Sequence, residues 1–225
     1  MQDILSYLAA EYDPVAIIVY GSFADGTSNL FSDFDALLMT ADGARRHDDR
    51  FVDCTQLDVF VHPISDFQGD YDPAEYARIY GGQILLDRDG IAAALLERVR
   101  CFVDGQAKKT AEELRLDLSW CEKMLRRAER TDAEGCFRRH WLLVDSLEIY
   151  TALRGWPYLG PKKALGQLEK KDKAAYALYE TALTAGDYAS LAAWIGQLRE
   201  RFEKLPKKRK QGPKPRSLSS GSNAV

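Results

Sequence analysis

The sequence predicts an α+β protein in two parts, and three observations carry that expectation. Up to about residue 104, short β-rich runs alternate with helical stretches, which predicts an α/β domain with a small mixed sheet. After Gly105 the strand signals stop and every long segment has helical spacing, which predicts an all-α bundle over residues 105–205. From Pro206 the chain turns basic and then Ser/Gly-rich with almost nothing to bury, so 206–225 reads as a disordered basic tail.

In the first part, Val15–Tyr20, Asp35–Thr40, Leu57–His62 and Gln83–Asp87 read as strands, rich in β-branched and apolar residues. Gln2–Tyr12, Pro73–Tyr80 and Gly90–Val103 read as helices, and Pro73 suits a first turn, where its missing N–H costs nothing. In the second part the spacing predicts helices over Lys108–Arg130, Glu134–Arg154, Pro161–Lys170, Lys173–Thr184 and Tyr188–Leu205. Apolar residues lie on nearly every side of Glu134–Arg154, Trp141 and Val144 among them, so this helix is expected to be largely buried.

Composition removes several classes. A net charge of −3 leaves no global footprint for nucleic acid. Four scattered cysteines without a C-x-x-C pair, and only three histidines, argue against zinc and fit reduced thiols in the cytoplasm. The N-terminus lacks the basic region and cleavage site of a signal peptide. No apolar run reaches the roughly 18 residues of a membrane span.

The informative stretch is IIVYGSFADGTSNLFSDFDALLM, Ile17–Met39. Asp33 and Asp35 are two apart, so on a strand they share a face. Side by side, two carboxylates repel and their pKa values rise unless a cation neutralises them. Asp35 leads into the apolar run ALLM, and Asp58 stands in a similar setting in QLDVFV. If those two strands pair, three carboxylates converge at one end of the sheet, a set suited to Mg²⁺. Gly21 permits a tight turn and close backbone approach, and Ser22 opens a short helix, SFADG, with amides and a hydroxyl for an anion. Phosphate-binding amides beside a metal-binding carboxylate cluster suit in-line displacement on a nucleoside triphosphate.

As a set, GSFADG, SDFD and LDVFV resemble the nucleotidyltransferase superfamily of polymerase-β-like proteins: G-S, roughly ten residues, D-x-D, then a later strand aspartate. Here ten residues separate Ser22 from Asp33. The resemblance implies Gly21 and Ser22 on the triphosphate, and Asp33 and Asp35 on Mg²⁺, with two ions expected. It places Asp58 on the catalytic metal near the attacking hydroxyl. The helical second half, and GQILLDRDG followed by a helix, are similar to the aminoglycoside and lincosamide nucleotidyltransferases. That likeness implies transfer of a nucleoside monophosphate, AMP from ATP, to a hydroxyl of an antibiotic-like small molecule, with a bundle supplying acceptor contacts.

Asp145 and Glu148, three apart on one helix face, are the candidates for a carboxylate base or acceptor contact. The alternative is a salt bridge to Arg138, Arg139 or Arg154. Lys162 and Lys163 stand at a helix start, either solvated or reaching the triphosphate. Pairing into a homodimer is expected. Two other readings keep the fold: a protein- or tRNA-modifying transferase of antitoxin type, and a non-catalytic nucleotide sensor.

Overall fold

The computed structural model describes residues 2–206, so nearly all of the basic stretch 206–225 lies outside the described residues. The chain divides into two units, one of Met1–Lys109 with Arg154–Gln167, the other of Thr110–Leu153 with the described residues from Leu168 onward. The fold is α+β, a mixed six-stranded sheet in the first unit and helices throughout the second.

The first unit runs α1 (Gln2–Tyr12), β1 (Ala16–Val19), α2 (Gly21–Asp25), β2 (Phe34–Thr40), β3 (Arg46–Asp48), β4 (Phe51–Val52), β5 (Thr55–Pro63), β6 (Gln83–Asp87) and α3 (Ile91–Asp104). The sheet order is β3-β5-β2-β1-β6, with β4 paired to β5. Among the described residues, β2 and β5 pair in parallel and the other pairings are antiparallel. Strand β1 lies inside the sheet, between β2 and β6, and is buried along its whole length, which explains its unbroken apolar run.

Side-chain alternation divides the core between the two sheet faces. One face carries Ile18, Leu37 and Met39 under α3 residues such as Leu95 and Val99. The other carries Ile17, Leu38 and Val61 under Ile4 and Leu8 of α1. The segment expected as a helix over Pro73–Tyr80 forms 3₁₀ turns over Pro73–Ile79, with Asp72 capping at the Ala74 amide. The apolar spacing that suggested a helix is met by burying Tyr76 and Ile79.

Asp48, on β3, ties α1 to the sheet edge. It is 3 % exposed and accepts from the hydroxyls of Tyr7 at 3.0 Å and Tyr12 at 2.8 Å, and from Arg50 Nε at 2.9 Å. Burial opposes its ionisation, but the hydrogen bonds from Arg50, Tyr12 and Tyr7 outweigh it and hold the carboxyl well below the usual range. The unfolded chain therefore takes up the proton first, at a carboxyl pKa of about 3.9. The stability Asp48 contributes is full above that value and lost as pH falls through it toward the lower folded value. Asp48→Asn is expected to cost about 1–2 kcal/mol at neutral pH and to flatten the acid decline below about pH 4. Urea unfolding of both proteins at neutral and acid pH checks this; identical pH slopes would refute it.

In the second unit, α4 (Ala111–Ala128) begins at a capping box between Thr110 and Glu113. It is followed by α5 (Ala133–Arg154). Helix α6 (Pro161–Lys171) belongs to the first unit up to Gln167. Helices α7 (Lys173–Ala185) and α8 (Tyr188–Glu203) start at Asp172 and Asp187, whose side chains accept from Ala175 and Ser190 amides. Trp194 of α8 is fully buried between the rings of Tyr150 and Tyr179, at 5.0 and 4.9 Å. Its indole N–H donates to Ser146 Oγ at 2.8 Å, so the bundle's largest core residue keeps its polar atom paired.

The expectation that α5 is buried nearly all round needs correction: Trp141 is 43 % and Val144 52 % exposed. Apolar residues crowd every side of this helix, but α5 has an open side on which Phe137 and Trp141 pack against each other at 5.9 Å. Among the described residues no helix is long and apolar enough to cross a membrane. All four cysteines are free thiols.

Candidate functional site

The parallel pairing of β2 with β5 decides the geometry. Asp35 is the register partner of Asp58, so two carboxylates stand directly opposite on adjacent strands. Asp33 is exposed just ahead of β2, two residues from Asp35. Among the described residues, no group of three or more His, Cys, Asp or Glu is placed to hold a metal ion. The structure thus brings Asp35 and Asp58 together and leaves Asp33 at their margin.

The turn after β1 closes against this pair. Gly21 has φ +67°, a conformation that favours glycine, and a Cβ at this position would stand 2.2 Å from Asp35 Oδ2. The Tyr20 amide donates to the Asp35 carbonyl at 3.1 Å, locking turn to strand. Helix α2 begins at Gly21 and ends at Gly26 in the left-handed conformation, with Gln83 Nε2 donating to the Ala24 carbonyl at 2.6 Å. Ser22 is 3 % exposed, and its hydroxyl has no hydrogen-bond partner among the described residues. An orphaned buried hydroxyl costs stability unless something else uses it.

Burial pushes the Asp35 carboxyl upward, and the charges of Asp58 and then Asp33 add to it; Lys162 and Lys163 oppose. Lys162 is exposed, with no hydrogen-bond partner among the described residues. Lys163 is not simply solvated: its Nζ donates to the carbonyls of Tyr80 at 3.0 Å and Arg78 at 3.2 Å. Burial lowers the Lys163 pKa against the pull of Asp25 and Asp35. Both lysines belong to the same unit as the aspartates.

Asp145 and Glu148 lie on α5, in the second unit. Glu148 is exposed and Asp145 half-buried, and neither forms an ion pair among the described residues. Arg138 pairs instead with Glu134, and Arg139 donates to the Ala128 and Arg130 carbonyls at 2.9 Å.

Sequence reasoning missed His47, Arg78 and Tyr20. His47 sits on β3 opposite Phe60, stacks on that ring at 4.6 Å, and places Nε2 2.6 Å from Asp58 Oδ1. Arg78 lies 4.3 Å over the Phe60 ring. Burial pushes the Tyr20 hydroxyl up to about 12; Arg78 opposes this, and Asp58 and Asp35 add to it. The available signal was weak: a histidine in RRHDDR, a polar run without strand alternation.

No family model matches the chain, and no curated protein matches it. Among solved structures it is similar to a nucleotidyltransferase-like protein from Exiguobacterium sibiricum 255-15, at 14 % identity and a TM-score of 0.36. The match covers 90 % of this chain and 73 % of that one.

Proposed function

We propose that this chain is a nucleotidyltransferase that moves a nucleoside monophosphate, AMP from ATP, to a hydroxyl of a small-molecule acceptor and releases pyrophosphate. The observation that carries the reading is Asp35 opposite Asp58 on parallel strands, with the Gly21 backbone seated against the Asp35 carboxylate. The donor set fits Mg²⁺: all oxygen, with a like-charge pair that leaves Asp35 hard to ionise and in need of a cation. Asp35 and Asp58 would hold the metal, with Asp33 at the margin, and Mg²⁺ when bound neutralises charge on the phosphate oxygens.

The chain's own groups supply the rest. Gly21 lets the main chain approach the phosphates, and the Ser22 hydroxyl is a donor still in want of an acceptor. Lys162 is the lysine free to meet the triphosphate, since Lys163 is held by two carbonyls. Asp58 stands to take the proton of the attacking hydroxyl, and His47 fixes one of its oxygens.

Mass spectrometry tests this. The full chain is incubated with Mg²⁺, each nucleoside triphosphate and a pool of hydroxyl-bearing antibiotics that includes aminoglycosides and lincosamides. We expect a nucleoside-monophosphate adduct on a small molecule, largest with ATP and lost when EDTA removes the metal. An adduct on the protein alone would move the acceptor to a macromolecule. No adduct, with triphosphate bound, would favour a sensor.

A further inference from the structure

A cavity of about 530 Å³ opens within the first unit, a size that suits a small organic ligand. Leu37 and Phe60 line it, and each lies two residues beyond Asp35 or Asp58, so the cavity shares the sheet face of the two carboxylates. Tyr20, Tyr76, His47 and Arg78 complete most of the wall. His47 connects the two places, stacked on Phe60 with Nε2 on Asp58.

Two features of the wall ask for a ligand. Tyr20 and Tyr76 are each 5 % exposed, and neither hydroxyl has a hydrogen-bond partner among the described residues. Buried phenols without partners are costly, and both can donate to an acceptor in the cavity. The second feature is charge. Arg45 at the rim is compensated by Asp66 at 2.6 Å, with Glu75 also near. Arg78 has no carboxylate partner among the described residues; it rests on Phe60 and acts on the Tyr20 hydroxyl. Arg46 also lines the cavity without a carboxylate partner among the described residues. Aromatic walls, two spare hydroxyl donors and two uncompensated guanidiniums suit a flat ring that carries an anion.

We infer that this cavity is the acceptor pocket and that the acceptor is an aromatic hydroxy acid or a compound of that chemistry. Its ring packs beside the His47–Phe60 stack and against Tyr20 and Tyr76, its carboxylate meets Arg78 and the two phenols, and its hydroxyl points toward Asp58. The inference rests on the nucleotidyl-transfer reading and narrows its substrate class: a polycation would meet Arg46 and Arg78. In the transfer, the acceptor oxygen bonds to the α-phosphorus as the bond from that phosphorus to the bridging oxygen breaks. Pyrophosphate leaves with the electron pair, and the hydroxyl proton passes to the Asp58 carboxylate.

Calorimetric titration of the full chain with hydroxynaphthoate, its uncharged amide and kanamycin tests the pocket. The carboxylate is expected to bind about tenfold tighter than the amide, and kanamycin not to displace it. Arg78→Gln should erase that preference and Arg78→Lys retain part of it. Equal binding of acid and amide by the unaltered chain, no binding of the acid, or an undiminished preference in Arg78→Gln would each overturn the inference. Should Arg78→Gln not fold, the acid–amide comparison on the unaltered chain decides alone. Mg·ATP is titrated in parallel: failure there strikes the transfer reading, while failure of the acid alone strikes only the pocket.

Discussion

Asp35→Asn is expected to lower nucleotidyl transfer by about 10³-fold or more while the protein stays folded. The carboxylate is the one that faces Asp58 in register and lies against the Gly21 main chain. On the proposed reading it holds the cation that neutralises the phosphates, a contribution of several kcal/mol, and each factor of ten is worth about 1.4 kcal/mol. Stability should move the other way or not at all. Burial and the neighbouring Asp58 and Asp33 charges disfavour the ionised Asp35, so a neutral amide of the same shape relieves repulsion. Activity lost without stability lost is the mark of a group kept for function. Transfer within tenfold of the unaltered chain would remove Asp35 from the mechanism.

Gly21→Ala is the second large effect, and it acts through geometry. An alanine Cβ would stand 2.2 Å from Asp35 Oδ2 and 2.9 Å from its Cγ, so the carboxylate must swing away. The φ of +67° adds a strain of about 1 kcal/mol for any side chain. On the proposed reading, in which this carboxylate would hold the metal, displacing it by about 1 Å is expected to cost 10²-fold or more in rate. A double-mutant cycle separates the two costs. In an Asp35→Ala background the contact is gone, so Gly21→Ala should cost only the backbone strain in urea unfolding. An identical stability loss in both backgrounds would mean that the contact with Asp35 carries no energy.

Much of the first unit was legible because its signals are local. The apolar run ending at Val19, the glycine after it and the alternation of Asp35, Leu37 and Met39 with Ala36 and Leu38 each follow from one segment's own residues. Strands β3 and β4 were not legible. Arg46–Asp48 and Phe51–Val52 are polar or too short to alternate, and they are strands only because β5 offers them an edge. Hence His47, which the pairing of β3 with β5 brings to Asp58, was missed along with them. The open side of α5 was misread for the opposite reason: composition reports how apolar Trp141 and Val144 are, not what covers them.

The sequence by itself determined the α+β class, the Gly21–Ser22 turn after a buried strand and the order in which the aspartates follow. Their meeting was decided by tertiary structure alone. Asp35 faces Asp58 because β2 and β5 pair in parallel and in one register, and Arg78 reaches the cavity because the 3₁₀ turns pack Tyr76 and Ile79 on that face. Strand pairing depends on hydrogen bonds and buried faces shared between distant segments, a property that no single stretch of residues carries.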